Sequence, residues 1–134
     1  FAGYGGIVQE AVQGFGVRRA EGIDIRPHAA TPGGIVIGKG DATRLTHITN
    51  ATVDRIVTDP PWGQHEQVAT NLYTLFLQET SRILKPGGIA VILSGAQALD
   101  TAIDHDSHFT KLQAYRILVS GTPARLTKLQ RTAT

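Results

Sequence analysis

The chain has 134 residues, enough for one domain with a modest core, and it has no cysteine, which removes disulfides, zinc knuckles and thiol nucleophiles together. Hydrophobic residues make up 41%, charged residues 18%, and mean hydropathy is -0.06, which excludes disordered, collagenous and membrane-spanning classes; without an apolar run or signal-peptide core, a cytoplasmic protein is expected. The net charge of +2 hides an asymmetry: all 11 acidic residues precede position 107, whereas the tail carries Lys111, Arg116, Arg125, Lys128 and Arg131, a pattern that suits either a polyanion or the solvated face of a terminal hairpin.

In chain order, Phe1-Ala-Gly-Tyr-Gly-Gly6 opens a helix whose apolar face is Ile7, Val8, Ala11, Val12 and Phe15, ended by Gly16. Residues 20–25 read as a short strand with Asp24 near its end, and 26–34 as a loop rich in proline and glycine. Ile35-Val-Ile37 reads as a buried strand, and Val53–Thr58 as the next, broken by two prolines that cannot donate to a sheet ladder. A helix carrying Val68, Leu72, Leu75, Phe76 and Ile83 on one side ends at Lys85-Pro-Gly-Gly88. Ile89–Leu93, lacking alternation, reads as a strand buried on both faces. A weak helix from Ala96 to about Ile103 precedes two strands near 114–119 and 125–129, joined through Gly121-Thr-Pro123. Strands alternating with helices predict an α/β fold with a mostly parallel, doubly wound sheet and an antiparallel terminal hairpin.

Three constellations carry chemistry. Gly3 and Gly5 let backbone approach a ligand, the helix start favours polar groups, and Asp24 lies 18 residues past Gly6, where a carboxylate can accept hydrogen bonds from ribose hydroxyls. A tight strand-to-helix turn would use the same glycines. Asp41 and Ala42 follow the third strand, where a carboxylate and a backbone N–H can read an adenine edge, or simply form an Asx-turn or helix cap. Asp59-Pro60-Pro61-Trp62 is the most informative. Two prolines make a rigid loop at the C-terminal edge of a strand, where α/β sheets bind ligands. Such a loop can offer the Asp59 carboxylate and a proline carbonyl to a planar amino group, with Trp62 as a stacking face.

In this order, these residues resemble the Rossmann-like S-adenosylmethionine-dependent methyltransferases that act on exocyclic amino groups of nucleobases. Phe1, Gly3 and Gly5 look like the cofactor glycine motif, Asp24 like the ribose acid, Asp41 and Ala42 like the adenine contacts. Asp59, Pro60, Pro61 and Trp62 look like the catalytic (D/N/S)-P-P-(Y/F/W) loop, and Lys85-Pro-Gly-Gly88 like the turn before strand five. The stretches Val53–Gly63 and Gly40–Thr43 are most similar to the catalytic domain of THUMP-linked tRNA and rRNA guanine-N2 methyltransferases. That resemblance implies S-adenosylmethionine as cofactor, the guanosine N2 amine of RNA (tRNA foremost) as acceptor, and an RNA-binding module upstream in the parent chain. No counterpart of the usual first strand precedes the glycine motif, and no methionine stands at position 1. Residues 1–134 are therefore expected to be a methyltransferase domain that begins within its cofactor motif, lacking the first strand.

Asp104-His-Asp-Ser-His108 has metal-capable side chains on a loop without rigid spacing, so no metal is expected there. His28 and His47 are scattered, and His65 is close enough to the catalytic loop to touch substrate. Rival readings are a DNA adenine-N6 or cytosine-N4 methyltransferase, a non-catalytic scaffold or RNA-binding module of the same fold, and, less favoured, a small-molecule methyltransferase.

Overall fold

Glycine and proline punctuate this chain so closely that its elements are short at the start and lengthen toward the end. The computed structural model describes residues 1–27, 35–64 and 68–133, so His28, His65 and most of the 26–34 loop lie outside the described residues. The chain divides into two units, Phe1–Ala42 and Thr43–Thr134.

In the first unit, α1 (Gly6–Gln9) is a single α-helical turn that continues as a π-helical turn over Glu10–Gly14. The expected helix through Phe15 with a buried face is not formed: nothing in these turns is buried, and Ile7, Val12 and Phe15 are exposed. Its start has no side-chain cap, and glycines at 6 and 14 and β-branched Val8 and Val12 weaken it. The strands β1 (Gly22–Asp24) and β2 (Ile37–Lys39) pair in parallel, with Asp24 opposite Lys39. The second strand thus starts two residues later than its apolar run suggests. Ile37 is buried and Val36 is exposed. A Cβ on Gly22 would lie 2.4 Å from Ile37 Cδ1 and 2.9 Å from Val8 Cγ2, so this glycine is where α1 and β2 close over β1.

The second unit holds β3 (Val53–Thr58), α2 (Leu72–Ile83), β4 (Leu84–Ser94), α3 (Gln97–His105), β5 (Phe109–Val119) and β6 (Thr122–Arg131). Its sheet runs β3-β4-β6-β5. The β3–β4 pair, joined by a helical crossover, is parallel; the chain crosses over again through α3 into β5 and reverses once, at the terminal hairpin, so that β6 is antiparallel to both β4 and β5. This is the Rossmann-like α/β arrangement with the antiparallel terminal pair that the sequence pattern predicts. Among the described residues no strand precedes Gly22.

Four local expectations are corrected. The Lys85-Pro-Gly-Gly88 turn is an irregularity inside β4, which pairs Leu84 with Val53 before resuming at Ile89 opposite Arg55. From there Ala90, Ile92 and Ser94 are buried while Ile89, Val91 and Leu93 are half-buried, so the two faces of this strand are not equally covered. On α2 the buried face is Tyr73, Phe76, Leu77, Thr80, Ser81 and Ile83, and Leu75 is exposed. The small hydroxyl residues Thr80 and Ser81 belong to that face and disguise its period. The hairpin turn is Ser120-Gly121, with φ of 48° and 80°, the left-handed pair of a two-residue type I′ turn, and Thr122 and Pro123 already belong to β6.

Candidate functional site

In the first unit, the glycine loop and the end of β1 are tied together. Phe1 N and Ala2 N each donate to Ile23 O at 3.0 Å, and Gly3 N donates to Asp24 Oδ2 at 2.9 Å. The other oxygen, Asp24 Oδ1, accepts from Arg26 N at 2.9 Å, and Gly40 N donates to the Asp24 carbonyl at 3.0 Å. Asp24 is thus oriented by backbone on both sides, and the terminal ammonium of Phe1 lies 3.9 Å from its Oδ2. The two glycines do different work. A Cβ on Gly5 would lie 2.9 Å from Ile37 Cδ1, so Gly5 is a packing glycine, whereas Gly3, at φ +55°, has nothing within 4 Å of that position. Space therefore lies open over Gly3. Asp41 is exposed and Ala42 half-buried just past β2.

In the second unit, β3 runs straight into Asp59-Pro-Pro-Trp62, and this loop is pinned from three directions. Pro60 is fully buried. The Tyr73 hydroxyl, on the buried face of α2, donates to Pro61 O at 2.6 Å, and burial raises the pKa of that phenol. Trp62 Nε1 donates to Asp59 Oδ1 at 2.7 Å. Under the indole lies Gly95, just past β4: a Cβ there would meet Trp62 Cε3 at 2.1 Å and two further ring atoms at 2.5 and 2.6 Å. Desolvation pushes the Asp59 carboxyl above the ordinary aspartate value, with the indole N–H pulling the other way. Tyr73 and Gly95 escape a reading of the sequence. Tyr73 sits in an apolar helical run that looks like core, and Gly95 needs no unusual backbone angle.

The loop forms one wall of a cleft of about 380 Å³, and the turn of the terminal hairpin forms the other; Asp59, Pro60, Pro61, Trp62, Val119, Ser120 and Thr122 line it. Its lining sets two prolines and an indole beside one carboxylate. The basic side chains of the hairpin are mostly committed elsewhere. Lys111 Nζ is 2.8 Å and Arg125 Nη1 3.0 Å from Asp104, Arg125 Nε is 3.2 Å from Asp100, and Arg131 donates to Leu84 O. Asp104, flanked by Arg125 and Lys111, is held down to a pKa of about 2. Two of the five basic residues of the tail, Lys111 and Arg125, thus pair with the α3 acids Asp100 and Asp104. Asp106 Oδ1 lies 2.9 Å from His108 Nδ1, and among the described residues no group of three His, Cys, Asp or Glu is placed to hold a metal ion.

A Rossmann-like sheet with a glycine loop and strand-end aspartate in one unit and an Asp-Pro-Pro-Trp cleft in the other defines a class I methyltransferase. Residues 24–125 match the model of the RMKL-like methyltransferase domain, and the chain belongs to that family. The class sets the cofactor, S-adenosylmethionine. Among solved structures the chain is similar to TrmN from Thermus thermophilus, at 28% identity and a TM-score of 0.58, over 71% of this chain and 28% of that one. It is also similar to a second Thermus thermophilus protein, provisionally assigned as a DNA modification methylase, with 20% identity, TM-score 0.52, and 71% and 51% of the two chains covered. The N-methyltransferase NodS from Bradyrhizobium japonicum, solved with S-adenosyl-L-homocysteine, shares 17% identity at a TM-score of 0.58, over 81% of this chain and 64% of that one. The last two likenesses are likenesses of fold. The chain spans less than two thirds of each of these proteins, and no curated protein matches it. Among the described residues no helix is long and apolar enough to cross a membrane.

Proposed function

We propose that this domain transfers a methyl group to the exocyclic N2 amine of guanosine in RNA, tRNA foremost, in the cytoplasm and with an RNA-binding module upstream in the parent chain. The observation that carries the reading is the pinned Asp59-Pro-Pro-Trp62 loop at the mouth of a cleft that sets two prolines and an indole beside one carboxylate. In the first unit, Gly3 and Gly5 with Phe1 form the cofactor loop, Asp24 accepts from the ribose hydroxyls, and Asp41 with Ala42 reads the adenine. S-adenosylmethionine, when bound, supplies a methyl group already activated on a sulfonium.

A base amine is a weak nucleophile because its lone pair is delocalised into the ring, so the protein must hold it in the geometry that frees that pair. Asp59 Oδ1 is occupied by the indole N–H, which leaves Oδ2 to accept one amine hydrogen. Tyr73 takes the Pro61 carbonyl, so the carbonyl for the second hydrogen is that of Pro60. Asp59 or water then accepts the proton released on methylation. Gly95 occupies one side of the Trp62 ring, so the base stacks on the side toward the cleft. A base reaches this pocket only after leaving its own stack.

A DNA amino-methyltransferase would use the same loop for adenine N6 or cytosine N4, and the likeness to the DNA modification methylase keeps it as the second reading. The test of the residue roles is Asp59→Ala in the full chain. Methyl transfer to RNA is expected to fall below about a tenth of the parent rate while cofactor affinity is unchanged; a variant retaining more than that contradicts the role given to Asp59.

A further inference from the structure

The strand end beneath the catalytic loop is built as a seat. Ser94, itself buried, accepts from Ala96 N at 3.2 Å and donates to Ala96 O at 3.1 Å, closing a side-chain turn around Gly95. Gly95 has no left-handed φ, so no backbone strain requires a glycine there. What requires it is the indole: three atoms of the Trp62 benzo ring stand 2.1 to 2.6 Å from the place a Cβ would take, nearer than side-chain atoms can approach. The same indole holds Asp59 Oδ1 through its N–H at 2.7 Å. A chain of contacts therefore runs from buried Ser94 through the bare Cα of Gly95 and the Trp62 ring to one oxygen of the carboxylate.

We propose that Gly95 is a positioning residue: it seats the Trp62 ring so that the indole N–H fixes the Asp59 carboxylate, and leaves the second oxygen aimed into the cleft. This rests on the role given to Asp59 above. It also separates two tasks of Trp62, because the ring that faces the base is also the lever that orients the acid. Any side chain at position 95 lifts the ring off the strand end, breaks the N–H···O bond and frees the carboxylate to rotate. The defect appears in the chemical step more than in cofactor binding, since the ring that Gly95 seats and the carboxylate that the ring holds both belong to the catalytic loop.

Trp62 is the one tryptophan among these 134 residues, and the difference in emission between the chain and its Gly95 variant reports on the seat without substrate or cofactor. In the full chain, Gly95→Ala is expected to red-shift that emission and increase its quenching by acrylamide, with the far-ultraviolet circular dichroism retained. It is also expected to lower kcat at least tenfold with KM for RNA changed by less than about threefold. In a Trp62→Ala background, Gly95→Ala should change neither kcat nor KM by more than about twofold, because there is no ring left to displace. If Gly95→Ala does not fold, Trp62→Phe serves instead, since it keeps a ring on the glycine, removes the N–H and should reproduce the kcat loss. Parent-like emission and rate in Gly95→Ala, a full Gly95→Ala defect in the Trp62→Ala background, or a Trp62→Phe variant with the parent's kcat would each overturn the proposal. A red-shifted emission in a chain whose parent transfers no methyl group overturns the reading of the loop's function and supports the seat.

Discussion

Arg82 joins α2 to the loop that leads into β3, and its replacement has a magnitude that can be worked out. The guanidinium donates to Glu79 Oε2 at 2.9 Å and Oε1 at 2.7 Å, to Leu45 O and Ile48 O at 2.9 Å, and to Asn50 Oδ1 at 2.6 Å. Glu79 in turn accepts from Leu45 N at 2.5 Å, so the pair clamps both the N–H and the C=O of Leu45. The Glu79 partnership raises the Arg82 pKa further, so the guanidinium keeps its charge. A hydrogen bond from a charged donor contributes about 1.5 kcal/mol or more, and three of these reach loop acceptors. Water replaces part of that, because the Arg82 side chain is 30% exposed. Arg82→Ala is therefore expected to lose about 2 to 4 kcal/mol in urea unfolding, with an unchanged m-value. Arg82→Lys should recover less than half of it, since one ammonium cannot span the Glu79 fork and three further acceptors. A loss of under about 0.5 kcal/mol for Arg82→Ala would refute the clamp.

Three further outcomes follow from individual groups. Because desolvation raises the Asp59 pKa, the carboxylate is lost on acidification sooner than an ordinary aspartate would be. The acid limb of kcat/KM should accordingly lie above the usual aspartate range, and a limb at or below about pH 4 would contradict the assignment. Asp104 is the opposite case. Its pKa is about 2 in the folded chain, so its ion pairs add stability that is fully present above the unfolded value near 4 and is lost as pH falls toward 2. Asp104→Asn should flatten the stability-versus-pH curve in that window, and an unchanged slope would show that the pairs contribute nothing. Thr127 Oγ1 is buried in β6 with no hydrogen-bond partner among the described residues, so Thr127→Val should raise stability by about 1 kcal/mol in urea unfolding, and a loss would mean that the hydroxyl is satisfied.

The elements most legible in the sequence are those whose signal is local. β3 follows from Val53-Asp-Arg-Ile-Val-Thr58 closed by two prolines, and its bounds agree with the pattern to the residue. The terminal strands are recognisable but read short, because β5 is an exposed edge strand whose Leu112, Tyr115 and Leu118 do not alternate cleanly with polar residues. The first helix fails for a physical reason: an apolar period cannot hold an α-helix where glycines flank it and nothing caps it. At the site, the aspartates and prolines are visible because their types state their chemistry. Tyr73 and Gly95 are not, because the work of each lies in a contact across the fold, one to the Pro61 carbonyl and one to an indole ring.

The most direct test of the central claim is methyl transfer from labelled S-adenosylmethionine by the full parent protein, offered tRNA and duplex DNA in parallel and followed by nucleoside mass spectrometry. The account predicts label in N2-methylguanosine of the RNA, lost in Asp59→Ala. Label in N6-methyladenine or N4-methylcytosine of the DNA, or none in either nucleic acid, would contradict it.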